Sequence, residues 1–148
     1  MRPFLTKATE LGVGWNEREL SESDLDDLCR RYDVGLAELP LRTDGFYYRV
    51  MGRDMIVVNS LLRPRRRLFV AFHELAHCLF HVPASGPSAA FFHVGRRDRR
   101  EAEADAFALI ALMPLQLVLS SSIDELVADG HPRDEVASRH ALYRSHGI

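Results

Sequence analysis

The stretch Phe69–His81, FVAFHELAHCLFH, constrains this chain more than any other. It contains His73-Glu74-Leu75-Ala76-His77, an H-E-x-x-H pattern whose spacing has a defined geometry on a helix. Residues four apart lie one turn apart on one face, so both imidazoles can reach a single ion. Zinc takes such nitrogens at roughly 2.0–2.1 Å in tetrahedral geometry. Glu74 points about 100° around the helix from His73. That offset keeps it off the ligand face yet near a metal-bound water, where a carboxylate acts as general base. Leu68, Phe72, Leu75, Ala76 and Leu79 recur at the spacing of a core-packed helix. Phe69, Val70, Ala71 and Phe80 extend the apolar surface nearly all round, which predicts a central helix. Two histidines and a glutamate there are costly unless paired or bound to metal. The short pattern also arises by chance, so the rest of the chain must supply a further ligand and a scaffold.

A chain of 148 residues, 47% apolar and 27% charged, has room for one domain with a real core and not for two comfortable ones. The expectation is a single domain over residues 1–148. A formal charge of −2 gives no broad electrostatic footprint, so no direct nucleic-acid binding is expected. There is no apolar run of membrane-spanning length and no leader-like start. Two cysteines, Cys29 and Cys78, provide no disulfide framework. A cytoplasmic protein with reduced thiols is the expectation, with Cys78 read as buried packing.

Residues 1–19 are mixed and say little. Ser23 with Asp26 suggests a capping box, and Leu25, Leu28 and Cys29 give a short helix face ending near Asp33. Val34–Leu39 reads as a strand stopped by Pro40. Asp44-Gly45 signals a turn before a second strand, Phe46–Met51, and Gly52-Arg53-Asp54 turns the chain into a third, Met55–Asn59. Short turns between them predict an antiparallel meander. Pro64 and Arg65–Arg67 lead to the histidine helix as a solvated approach. After His81 the composition is that of a loop, and Pro83–Arg100 is a candidate lid with His93 as a possible contact. Beyond Pro114 the chain reads as helical, with Ile123, Leu126 and Val127 on one face and a last helix over Arg133–Arg144. His140, Tyr143 and His146 there are candidates for stabilising an oxyanion, or simply capping and surface residues.

A third protein ligand has to come from outside the first helix. His81 is in register, but two turns span roughly 11–12 Å, too far for three rings to converge on one ion. A metzincin would continue with glycine and histidine where this chain has Phe80 and Pro83. The next acidic cluster is Glu101-Ala102-Glu103-Ala104-Asp105-Ala106-Phe107-Ala108, running into Leu109–Met113 and stopped by Pro114. It reads as a helix on which Glu101 and Asp105 share a face while Glu103 points roughly the other way, as a solvated residue would. One face thus offers a carboxylate ligand and a second carboxylate a turn away, able to accept the free N–H of a ligating histidine.

H-E-L-A-H followed 24 residues later by E-A-E-A-D-A-F-A and then L-M-P resembles the ImmA/IrrE family of metallopeptidases. The likeness extends upstream through D-L-C-R-R-Y, a strand ending E-L-P-L, a glycine turn, M-I-V-V-N and an arginine-rich approach, and covers about residues 21–114. The resemblance implies gluzincin-like zinc ligation by His73, His77 and Glu101, with Glu74 as the base. Asp105 stands where the family often has asparagine. It also implies cleavage of helix-turn-helix repressors in stress response or mobile-element control. No helix-turn-helix is evident here, so the repressor or antitoxin is expected to be a separate chain.

Together these readings predict one α+β, zincin-like domain: a small antiparallel three-stranded sheet packed on helices, the metal lying between the histidine helix and the Glu101–Met113 helix. Three ligands leave a fourth position for water, from which Glu74 takes a proton for the leaving amine. A substrate strand would pair with a sheet edge. A zinc-binding module that holds a regulator or toxin–antitoxin partner without cutting it is the alternative. A metal-free helical interaction domain is a third reading and leaves the ligand spacing unexplained. The absence of a secretion signal argues for a selective protease, one that spares generic proteins. The oligomeric state is not readable.

Overall fold

A computed structural model describes residues 1–81 and 99–148. Of the candidate lid, Pro83–Arg100, residues 83–98, His93 among them, lie outside the described residues, while Arg99 and Arg100 are helical. Among the described residues no helix is long and apolar enough to cross a membrane. The fold is α+β, and its contacts cluster into two units, residues 21–108 and residues 1–20 with 109–148.

The central unit begins with helix α2 (Glu22–Arg31), preceded in the chain by α1 (Arg2–Thr9). Its cap is Ser21, one turn-start earlier than Ser23: the Ser21 hydroxyl accepts from the Asp24 backbone N–H, and the Asp24 carboxylate accepts from the Ser21 N–H at 2.8 Å. The reciprocal pair satisfies two helix-end donors, which leaves Ser23 inside the helix. Asp33, with φ 52°, ends the turn and releases the chain into β1 (Val34–Leu39). β2 (Gly45–Val50) and β3 (Arg53–Asn59) form a hairpin through Met51 and Gly52, both with positive φ. Such turns match the twist of the flanking strands.

The sheet has three strands, but it is not the expected antiparallel meander. Its order is β1-β3-β2, with β2 antiparallel and β1 parallel to β3. The reason lies in β3. Ile56, Val57 and Val58 are all buried, so a run apolar on both faces takes the centre. β1 ends in the exposed Glu38 and Leu39, and an edge tolerates them. Strands that run parallel leave the sheet at the same end, and Asn59 joins the two exits: its Oδ1 accepts from Leu41 N–H at 3.1 Å and Leu61 N–H at 3.0 Å.

Helix α3 (Pro64–Phe80) packs across β2 and β3, with Pro64 in its first turn. Gly45 is what lets it close on the sheet, since a Cβ there would meet Val70 Cγ1 at 2.7 Å and the Val57 carbonyl at 2.8 Å. Arg66 and Arg67 are not merely solvated. They reach Asp44 at 2.8 Å and Glu38 at 3.5 Å, partly exposed pairs worth little to stability. Helix α4 (Arg99–Leu112) begins in this unit, where Phe107 meets Phe72 and Phe80 with ring centroids 6.3 and 5.8 Å apart. These edge contacts set the two chemistry-bearing helices side by side.

The other unit holds α1, the end of α4, α5 (Leu115–Ser120), α6 (Ile123–Ala128) and α7 (Arg133–His146). Of the expected apolar face on α6, only Leu126 is fully buried. The unit is tied by Arg139, which is wholly buried. It donates to the Met113 carbonyl at 2.6 Å, the Ile148 carbonyl at 2.6 Å and Asn16 Oδ1 at 3.2 Å. Asn16 also accepts from the Leu115 N–H at 2.8 Å. Burial lowers the Arg139 pKa to about 10. Nothing in the sequence marked this arginine.

Candidate metal centre

Apolar residues on nearly every side of α3 drive it into the core, and the motif goes with it. His73, Glu74 and His77 are all buried. His73 and His77, one turn apart, present their Nε2 atoms to each other at 3.2 Å. Glu101, in the first turn of α4, closes the figure: Oε1 lies 3.0 Å from His77 Nε2 and Oε2 lies 3.4 Å from His73 Nε2. Among the described residues these three form the group able to hold a metal ion, each offering one ligand atom within 4.8 Å of the others.

The spacing tests whether a metal fits. Four ligands at roughly 2.0–2.1 Å around a tetrahedral ion stand about 3.3–3.4 Å from one another. The 3.2 Å between the two Nε2 atoms lies close to that, and Glu101 reaches the rings with different oxygens, Oε1 at 3.0 Å from His77 and Oε2 at 3.4 Å from His73, so one ligand atom from each residue lies within 4.8 Å of the others. Two imidazoles and a carboxylate are also a donor set that zinc and similar divalent ions take. Burial works against the charged form of His73, yet hydrogen bonds to Asp105 and Glu101 and the charges of Glu74 and Asp105 outweigh it and raise its pKa to about 9.

The ring nitrogens turned away from the triangle are also engaged. His73 Nδ1 lies 2.8 Å from Asp105 Oδ1, the arrangement expected of a carboxylate one turn beyond Glu101. Glu103 departs from the sequence reading: it is buried, not solvated. Its Oε2 lies 2.8 Å from His81 Nε2, and His81 Nδ1 lies 2.9 Å from His77 Nδ1. His81 is therefore part of the site's surroundings without belonging to the triangle. Its four-residue spacing from His77 is the signal available in the sequence, since it sets the two rings one turn apart.

Glu74 is buried beside His73, where its charge is felt at both His73 and Cys78. Cys78 is buried, as its reading as a packing residue requires. The oxyanion candidates His140, Tyr143 and His146 are carried by α7 in the terminal unit. The pKa of His140 is lowered there by burial and by Arg144 and Arg139.

Comparison with known proteins bears on the same segments. Residues 29–122, more than half of the chain, match the IrrE N-terminal-like domain of the Peptidase M78 family. A curated relative, "Uncharacterized immunity region protein 2" of Bacillus phage phi105, is 34% identical over 85 residues, covering 57% of this chain and 54% of its own. The chain thus spans about half the length of that relative. No solved structure matches it. The matched span contains the sheet, the histidine helix and the Glu101 helix, so the chain belongs to the IrrE N-terminal-like family of peptidases, Peptidase M78.

Proposed function

We propose that the chain is a zinc-dependent endopeptidase that makes a single cut in a helix-turn-helix repressor or an antitoxin, in the cytoplasm. The observation that carries the reading is the convergence of His73 Nε2 and His77 Nε2, 3.2 Å apart, on the Glu101 carboxylate, whose two oxygens lie 3.0 Å from His77 and 3.4 Å from His73. In this reading residues 1–148 act as one metallopeptidase domain. Membership of a peptidase family supports hydrolysis, and the phage immunity-region relative supports a regulatory substrate.

His73, His77 and Glu101 would hold the ion. When bound, it supplies Lewis acidity toward the scissile carbonyl and the attacking water. Asp105 accepts the His73 Nδ1 proton and so keeps Nε2 turned inward. Glu74 takes a proton from water and delivers it to the leaving amine. A site that served structure alone would have no need of a base there, which favours the enzyme over a zinc module that binds without cutting.

The test is incubation of the zinc form with repressors and antitoxins encoded nearby, products being read by mass spectrometry. One discrete cut is expected, absent with Glu74→Gln, while casein stays intact. A partner that binds stoichiometrically and remains whole would favour the non-cutting module. Rapid digestion of casein would defeat the claim of selectivity.

A further inference from the structure

The side of His77 away from the triangle carries an arrangement that neither the family match nor the metal reading assigns. His77 is fully buried, and its Nδ1 lies 2.9 Å from His81 Nδ1. His81 Nε2 in turn lies 2.8 Å from Glu103 Oε2, the two side chains being 5% and 7% exposed. Arg99, itself 83% exposed, approaches the other Glu103 oxygen at 3.3 Å. We propose that His81 and Glu103 are positioning residues that form a buried relay fixing the tautomer of His77. This rests on the metal reading above.

With both rings neutral and an ion set against His77 Nε2, only one arrangement of protons satisfies these contacts. A carboxylate only accepts, so His81 carries its proton on Nε2 and donates it to Glu103. His81 Nδ1 is then a lone pair and must accept. The donor it meets is Nδ1–H of His77, which leaves the His77 lone pair on Nε2, the atom facing Glu101 and His73. The opposite order would set the His81 lone pair against a buried carboxylate, an uncompensated contact in low dielectric. His73 receives its carboxylate directly from Asp105, whereas His77 receives one through an intervening ring. The reason is position: Glu103 lies on the far side of α4 from Glu101, and one more turn of α3 brings His81 to meet it.

Two measurements test the relay. Nitrogen-resolved NMR of the imidazoles in the zinc form should find the His77 proton on Nδ1, coupled across the hydrogen bond to His81 Nδ1. A His77 proton on Nε2, or His81 as the donor, overturns the proposal. The second is zinc affinity, measured with zinc alone against a chromophoric chelator. His81→Leu should weaken it by about 10–100-fold, toward the upper end because water cannot replace the lost acceptor in a buried position. His81→Gln, whose side-chain oxygen can accept from His77, should restore most of it. If His81→Leu does not fold, Glu103→Ala carries the same expectation of weakened binding. Parental affinity in the Leu or Ala variant overturns the relay, as does a Gln variant as weak as Leu, which would mean that packing alone matters. A parent chain that takes up no zinc defeats the metal reading itself, and it does so before any variant is compared.

Discussion

Asp105→Ala is the perturbation whose size follows most directly from the geometry. The substitution removes the acceptor 2.8 Å from His73 Nδ1 and leaves the triangle untouched. A hydrogen bond to an ionised acceptor contributes about 1.5–3 kcal/mol. The Asp105 side chain is 38% exposed, so water can take over part of its role and the low end applies. Since about 1.4 kcal/mol is a factor of ten in affinity, zinc binding should weaken about tenfold, not a hundredfold. His73 should also lose the largest of the interactions that raise its pKa to about 9. Chelator competition reads the affinity, and NMR titration of the metal-free protein reads the pKa. Unchanged affinity would refute the orienting role. A loss as complete as that of Glu101→Ala would mean that the two carboxylates have exchanged roles.

Phe107→Ala empties a fully buried position between Phe72 and Phe80, and denaturant unfolding should show a loss of about 3–5 kcal/mol with weaker zinc binding, because α4 carries Glu101. In metal-free protein the His73 pKa is raised from 6.5 to about 9, so its contribution to stability is complete below about pH 6.5 and lost as pH rises through 9. The thermal midpoint of the metal-free chain should therefore fall across that window, and a midpoint rising there would contradict the sign. The Cys29 thiol is pushed up to about 11 by burial and Asp26, and Cys78 is pushed higher by burial, Asp54 and Glu74. Neither should react with a disulfide reagent near neutral pH until the protein is unfolded. Fast labelling of native protein would contradict their burial.

The parts of the fold legible in the sequence were those that short-range pattern controls. The apolar surround of His73 and His77 gave the central helix, and the four-residue spacing of Glu101 and Asp105 gave their shared face. All three strands were recognisable within a residue or two of their ends. Their order was not, because short turns suggest neighbours in sequence and the choice of β3 as the centre depends on which strand must be buried on both faces. The Ser21 cap was missed because Ser21 and Ser23 each have an aspartate three residues on, and only the backbone course distinguishes them. Glu103 and Arg139 were missed for one reason. Burial of a charged residue depends on a partner distant in sequence, His81 in one case and Asn16, Met113 and Ile148 in the other.

His73, His77 and Glu101 are expected to hold one metal ion beside a base, Glu74, that is not a ligand. Metal content per chain, by mass spectrometry of protein purified without chelator, tests it most directly across three forms of the protein. One zinc per chain is expected in the parent, one in Glu74→Gln, and strongly reduced zinc in His77→Ala. A folded parent with well under one metal per chain, or a His77→Ala variant that retains it fully, would contradict the account.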